Sequence, residues 1–193
     1  MGTPVDVATA RDLAEQLLEP LGRRWLHVQG VARAAERAGD GMRFSRELVA
    51  AAWLHDIGYA PQLQRTGFHP IDAARYLQDR GWDPLVVSLV AHHTCARVEA
   101  DLRGLGDQLE YFPRPPRACE DALCFCDITT GPTGQQVSAY ERLSEIERRY
   151  GPGHVVTRFV GEAREEILLS VVRHLGRSPA EPPPDVQDDH AAH

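Results

Sequence analysis

Apolar residues in this chain recur at helical spacing, and most such runs end on a glycine or a proline. That pattern allows helices and leaves little room for anything else. From Thr9 to Glu19, Leu13, Leu17 and Leu18 share one face, and Pro20 ends the run. A second helix is expected from about Leu21 to Ala38, with Leu21, Trp25, Val28, Val31, Ala32 and Ala35 in phase, and Gly39-Asp40-Gly41 stops it. Ser45 is the expected N-cap of a third, which ends near Ile57-Gly58. Pro70 suits the first turn of a helix reaching Arg80, and Asp83-Pro84 opens another over LVVSLVAHH. A loop is expected from about Ala100 to Arg117. Helices follow over 118–128, 135–150 and 154–175, with a turn at Gly131-Pro132-Thr133-Gly134. No strand-like alternation competes with this reading. The expected fold class is all-α.

With 193 residues, 42% of them hydrophobic, the chain can bury a full core without metal or disulfide staples. A bound metal would then serve chemistry rather than folding. One domain is expected over residues 1–177, with its motif-bearing core at 21–130. The segment 178–193, rich in proline and acid, reads as a flexible tail, and His190 and His193 in it as solvated.

A formal net charge of −7 argues against a nucleic-acid polymer or an anionic membrane as partner. No apolar run approaches the ~20 residues of a membrane span. The polar start, MGTPVDVATARDLAEQ, does not read as a signal peptide, so a cytoplasmic setting is expected. Cys95, Cys119, Cys124 and Cys126 are then reduced thiols. Cys124-Phe-Cys126 is too closely spaced for a zinc knuckle.

Four polar interruptions lie inside apolar helical stretches: His27, His55-Asp56, His92-His93 and Asp127. Taken singly, each has an ordinary explanation. A lone helical histidine is more often a hydrogen-bonded core or surface residue than a ligand. An aspartate in CFCDITT must find a partner, but a cap or an arginine would satisfy it as well as a metal. Together they are more telling. His55 and Asp56 follow AAWL at the inner end of an apolar helix, so an ion beyond that end can receive both side chains. Imidazole nitrogen and carboxylate oxygen suit Zn, Mn, Fe or Co.

RRWLHVQGVARAAERAG, AAWLHDIGYAP and DALCFCDITTGPTG together resemble the HD superfamily of metal-dependent phosphohydrolases, whose signature is a histidine, a later His-Asp doublet and a final aspartate. The resemblance covers roughly Leu21 to Thr130. It implies a helical bundle in which His27, His55, Asp56 and Asp127 hold one divalent ion (Mn, Fe, Zn, Co or Mg). FHPIDAARYL and VAHH look like the further elements of relatives with two metals, in which His69 and one of His92 and His93 take the second ion and Asp56 bridges. Helical phase leaves His92 and His93 open, with His93 preferred. His154, after Gly-Pro-Gly, reads as a helix-start residue without a catalytic role.

The resemblance implies hydrolysis of a small phosphorylated substrate, an ester or a nucleotide, with Asp56 as the central catalytic residue. Arg24, one turn before His27, and Arg65 and Arg97, near the histidine elements, are candidate substrate contacts because a guanidinium fork suits phosphate. One departure matters: many family members carry lysine three residues after the doublet's aspartate, and this chain has Tyr59. A di-iron oxygenase of the same fold and a non-catalytic metal-containing binding module are the alternatives. Apolar residues on the last two helices can pack on the domain or on a second copy, so a homo-oligomer is left open.

Overall fold

A computed structural model describes residues 5–176, and the expected tail at 178–193 lies outside them. Helix α1 (Val7–Leu18) starts where the Asp6 side chain accepts a hydrogen bond from the Ala8 amide, and it buries Ala10, Ala14, Leu17 and Leu18. Pro20 sits in a short 3-10 turn, Glu19–Leu21. Gly22, at φ 53°, then starts α2 (Arg23–Ala38), two residues later than the apolar spacing suggests. α3 (Ser45–Leu54) is capped at Phe44, so Ser45 is its first residue and not its cap.

α3 also ends three residues earlier than expected. Its last turn gives way to a 3-10 turn, Ile57–Tyr59, so His55 is the helix's C-cap and Asp56 lies just past it. Both side chains are released from the helical ladder as a result. α4 (His69–Gln78) carries Pro70 in its first turn. Asp83 caps α5 (Pro84–His92) by accepting from the Leu85 and Val86 amides. The expected loop over 100–117 is partly helical: α6 spans Ala96–Leu102 and α7 Gly106–Glu110, both too short to show an apolar period.

α8 (Arg117–Ile128) supplies the central helix of the site. Residues 129–138 turn back in a narrow hairpin, with Thr130 and Gln136 bridged and the Val137 amide on the Thr129 carbonyl. That hairpin consumes the residues expected to open the next helix. α9 therefore spans Ala139–Tyr150, behind a Ser138–Glu141 capping box. α10 (Val155–His174) follows the His154 N-cap. Among the described residues no strand forms, and none of their helices is long and apolar enough to cross a membrane.

Two groups of buried side chains hold the helices together. One runs through α1 to α5 and the inner face of α8; the other joins the outer face of α8 to Leu143 of α9 and Phe159, Val160, Ala163 and Ile167 of α10. Leu143 of α9 and Phe159, Val160, Ala163 and Ile167 of α10 are thus covered by their own chain. Arg173 clasps Asp121 through two hydrogen bonds of 2.7 and 2.8 Å and ties α10 to α8.

Two glycines set the separation of the parts that matter. A Cβ at Gly30 would lie 2.6 Å from the Gly134 Cα, so α2 rests directly on the hairpin after α8. A Cβ at Gly58 would lie 2.1 Å from the His69 carbonyl oxygen, so the turn after the doublet presses against the start of α4.

Candidate metal centre

Five segments deliver donor atoms to one buried point. α2 brings His27, the end of α3 brings His55 and Asp56, α4 opens on His69, and α8 brings Asp127. His93 stands just past the end of α5. His27, His55, Asp56 and His93 are all at most 4% exposed. One ligand atom each from His27, His55 and Asp127 falls within 4.8 Å of the others, and the same holds for Asp56, His69 and His93. Asp56 joins the two sets. Its Oδ2 is 3.5 Å from His55 Nε2 and 3.9 Å from His27 Nε2, while its Oδ1 is 3.3 Å from His69 Nε2.

The imidazoles are oriented from behind. His27 Nδ1 meets the Gly131 carbonyl at 3.2 Å, His55 Nδ1 the Ala52 carbonyl at 2.8 Å, and His93 Nδ1 the Val90 carbonyl at 2.7 Å. A carbonyl only accepts, so each Nδ1 carries the hydrogen and each Nε2 is left as a bare lone pair facing inward. Such a backing hydrogen bond is what fixes the ring of a metal-bound histidine.

The bare lone pairs then meet other electron-rich atoms. His27 Nε2 is 3.0 Å from Asp127 Oδ1, and His93 Nε2 is 3.1 Å from His69 Nε2. His55 Nε2 is buried with no hydrogen-bond partner at all. Lone pairs gathered this closely suit cations between them. Metal–nitrogen bonds of about 2.0–2.1 Å place neighbouring ligand atoms roughly 3–3.5 Å apart, close to the separations found. The donor set therefore fits two divalent cations.

Protonation states agree with that fit. Burial opposes ionisation of Asp56, yet Arg24, then His55, His69 and His27, hold its carboxyl well below the usual carboxylate range. Burial likewise opposes ionisation of Asp127, yet the His27 and His55 rings against it hold its carboxyl well below the usual range. Burial pushes His69 well below the ordinary imidazole range, against the pull of Asp56, and pushes His93 down as well. Ionised carboxylates and neutral imidazoles are the forms that bind metal.

Arg24 is the only one of the three expected substrate arginines at the site. Its Nη1 is 2.6 Å from Asp56 Oδ2, and its guanidinium lies 4.0 Å from the centre of the Tyr59 ring. Tyr59 in turn stacks on His69 with ring centres 4.1 Å apart. Tyr59, three residues after Asp56, is thus a half-buried ring wedged between an arginine and a candidate ligand. Arg65 is exposed and contributes only its amide, which donates to Asp72. Arg97 is also exposed and pairs with Asp101 and Glu166 at 3.4 Å. His92 turns away from the donor groups and meets the Phe112 carbonyl at 2.8 Å through Nε2. The helical phase that left the doublet open is decided by the break in α5 after His92.

Three residues at the site escaped the sequence reading. Thr94 donates to Asp127 Oδ2 at 2.5 Å from a left-handed backbone conformation, φ 47° and ψ 50°. Nothing in HHTCA signals that geometry. Arg142 and Arg149 reach the site from α9. They stand on the apolar stripe of Ala139, Leu143 and Ile146, a placement that reads in sequence as snorkelling solvated arginine.

A cavity of about 90 Å³ opens on these groups, lined by Asp56, His69, His93 and Asp127 on one side and by α9 and α10 on the other. A second, of about 320 Å³, is lined by Arg23, Arg24, His27, Pro132, Arg142 and Arg149.

Among known protein families, the model described as HD domain matches residues 24–128, more than half of the chain. No curated protein and no solved structure matches it.

Proposed function

The chain belongs to the HD domain family, and on that footing we propose that it is a metal-dependent phosphohydrolase acting on a small phosphate ester or nucleotide. The family is commonly one of metal-dependent hydrolases that bind divalent metals. One observation carries the finer reading: Asp56, a member of one donor group, also stands within 3.9 Å of His27 and His55 of the other, at the edge of a cavity that also receives arginines. His27, His55 and Asp127 would hold one cation, His69 and His93 the other, with Asp56 between them. Bound cations supply an acidified water as nucleophile and offset charge on the phosphoryl oxygens.

The chain's own residues do the remainder. Thr94 orients the Asp127 carboxylate. Tyr59, stacked on His69, shields that side of the ring from bulk water. Arg24 offers guanidinium hydrogens beside Asp56, where a phosphoryl oxygen needs them. Asp56 touches both donor groups, so its loss removes the shared carboxylate at once.

A di-iron oxygenase is the second reading. The observation favouring it is the donor set itself, four imidazoles to two carboxylates, which suits iron. Phosphate release from phenyl phosphate under anaerobic conditions with Mn²⁺ tests the two against each other. The phosphohydrolase reading expects turnover that vanishes in Asp56→Ala while the helical circular dichroism persists. Full turnover in that variant, or oxygen uptake by the iron-loaded protein with no phosphate release, would refute it.

A further inference from the structure

Arg142 lies in α9, outside the family-matched segment, and is 6% exposed. Glu145 Oε2 accepts from its Nη1 at 2.6 Å, but its Nε is buried with no acceptor. The same Glu145 also serves Arg149, at 2.5 Å, so one carboxylate answers two guanidinium groups. Both arginines line the cavity that holds Asp56 and Asp127, and both line the wider cavity beside it. A purely structural ion pair explains Arg142–Glu145 and leaves the orphaned Nε unexplained. An anion in the cavity would give these two guanidinium groups the negative charge that a single carboxylate only half supplies.

The rest of the lining is mixed: Arg24, Tyr59, Thr94, Glu99 and Tyr150 are polar, and the remainder is apolar. Leu143, Ile146, Phe159 and Val160 of α9 and α10 form its apolar side, and Phe68 lines it beside His69. Its volume of about 90 Å³ is well below the roughly 300–1,000 Å³ of sites for drug-sized ligands. A nucleobase would have to lie in the wider cavity, where Pro132 is the sole apolar residue among arginines and His27.

We propose that Arg142 binds the phosphoryl group of the substrate, and that the substrate is a phosphate monoester of a compact, apolar alcohol and not a nucleotide. This rests on the phosphohydrolase reading and narrows it. The two α9 arginines give the anion a place to bind, while α9 and α10 together limit the size of what it carries. Arg142 is thereby a substrate-binding residue supplied by the part of the chain the family pattern does not reach.

Calorimetric titration of the full-length, Mn²⁺-loaded protein with phenyl phosphate, inorganic phosphate and AMP tests the proposal without relying on turnover. Phenyl phosphate is expected to bind more tightly than AMP. Arg142→Gln is expected to weaken phenyl phosphate and inorganic phosphate at least 10-fold with metal content unchanged. Ile146→Trp, which fills the apolar end, is expected to weaken phenyl phosphate while leaving inorganic phosphate bound. It carries the test if Arg142→Gln does not fold. Undiminished phosphate binding by folded Arg142→Gln would overturn the assignment of Arg142. AMP binding more tightly than phenyl phosphate, or undiminished phenyl phosphate binding by Ile146→Trp, would overturn the compact substrate. Arg142-dependent binding of phenyl phosphate without any hydrolysis would sink the phosphohydrolase reading and leave the anion site standing.

Discussion

At Thr94 the backbone passes through φ 47° and ψ 50°, and Cys95 follows it at φ 58°. A β-branched residue in this region is strained by about 1–3 kcal/mol, and such strain persists only where surrounding contacts enforce it. Here the enforcing contact is the hydroxyl's hydrogen bond to Asp127. Thr94→Val keeps the side chain's shape and removes that donor. Backing groups of this kind commonly set metal affinity by roughly 10–100-fold. Titration with Mn²⁺ should show a loss of that size, with the helical fold retained. Unaltered affinity would show that Thr94 is structural only. His27, His55, Asp56 and Asp127 stood out in the sequence because polar groups inside apolar helices need partners. Thr94 and Arg142 did not, because a threonine after two histidines and an arginine on an exposed-looking helix have ordinary roles in most chains.

Among the elements, the contact between the turn after α3 and the start of α4 does the most to shape the site. Gly58 makes it possible, since any side chain there would run into the His69 backbone. Gly58→Ala should lower stability in urea by about 1–3 kcal/mol, the usual range for forced overpacking. It should also displace His69 from Asp56. Gly161→Ala is the matched control, because nothing lies within 4 Å of its added Cβ. In a helix interior that change should stabilise by about 0.5–1 kcal/mol. Equal effects of the two would refute the steric account. Helix existence was legible from apolar spacing and from glycine and proline punctuation. Less legible were the ends: α3 stops early because the doublet leaves the helix, and α9 starts late because the hairpin after α8 uses its expected first residues. Both deviations lie next to the donor groups, where tertiary contacts override local preference.

Across the whole molecule, burying so many neutral imidazoles together makes the metal-free fold sensitive to acid. Burial lowers His69 well below the usual value of about 6.5, and lowers His92 and His93 too. The unfolded chain then takes up protons before the folded one as pH falls. Stability from these residues is complete above about pH 6.5 and is lost as pH drops through that value towards their folded ones. The urea midpoint of metal-free protein should therefore be lower at pH 5.5 than at 7.5, and a midpoint that rises on acidification would contradict the burial argument. The family pattern ends at residue 128, whereas α9 and α10 complete the cavity wall, so the substrate side of the site was the least legible from sequence. Everything rests on two donor groups sharing one carboxylate. Elemental analysis after equilibration with Mn²⁺ and removal of free metal measures this directly, in the wild type and in His55→Ala, His93→Ala and His92→Ala. The account predicts two ions per chain in the wild type and in His92→Ala, and fewer in each of the other two. Metal-free wild-type protein, or two ions retained in His55→Ala and His93→Ala, would contradict it.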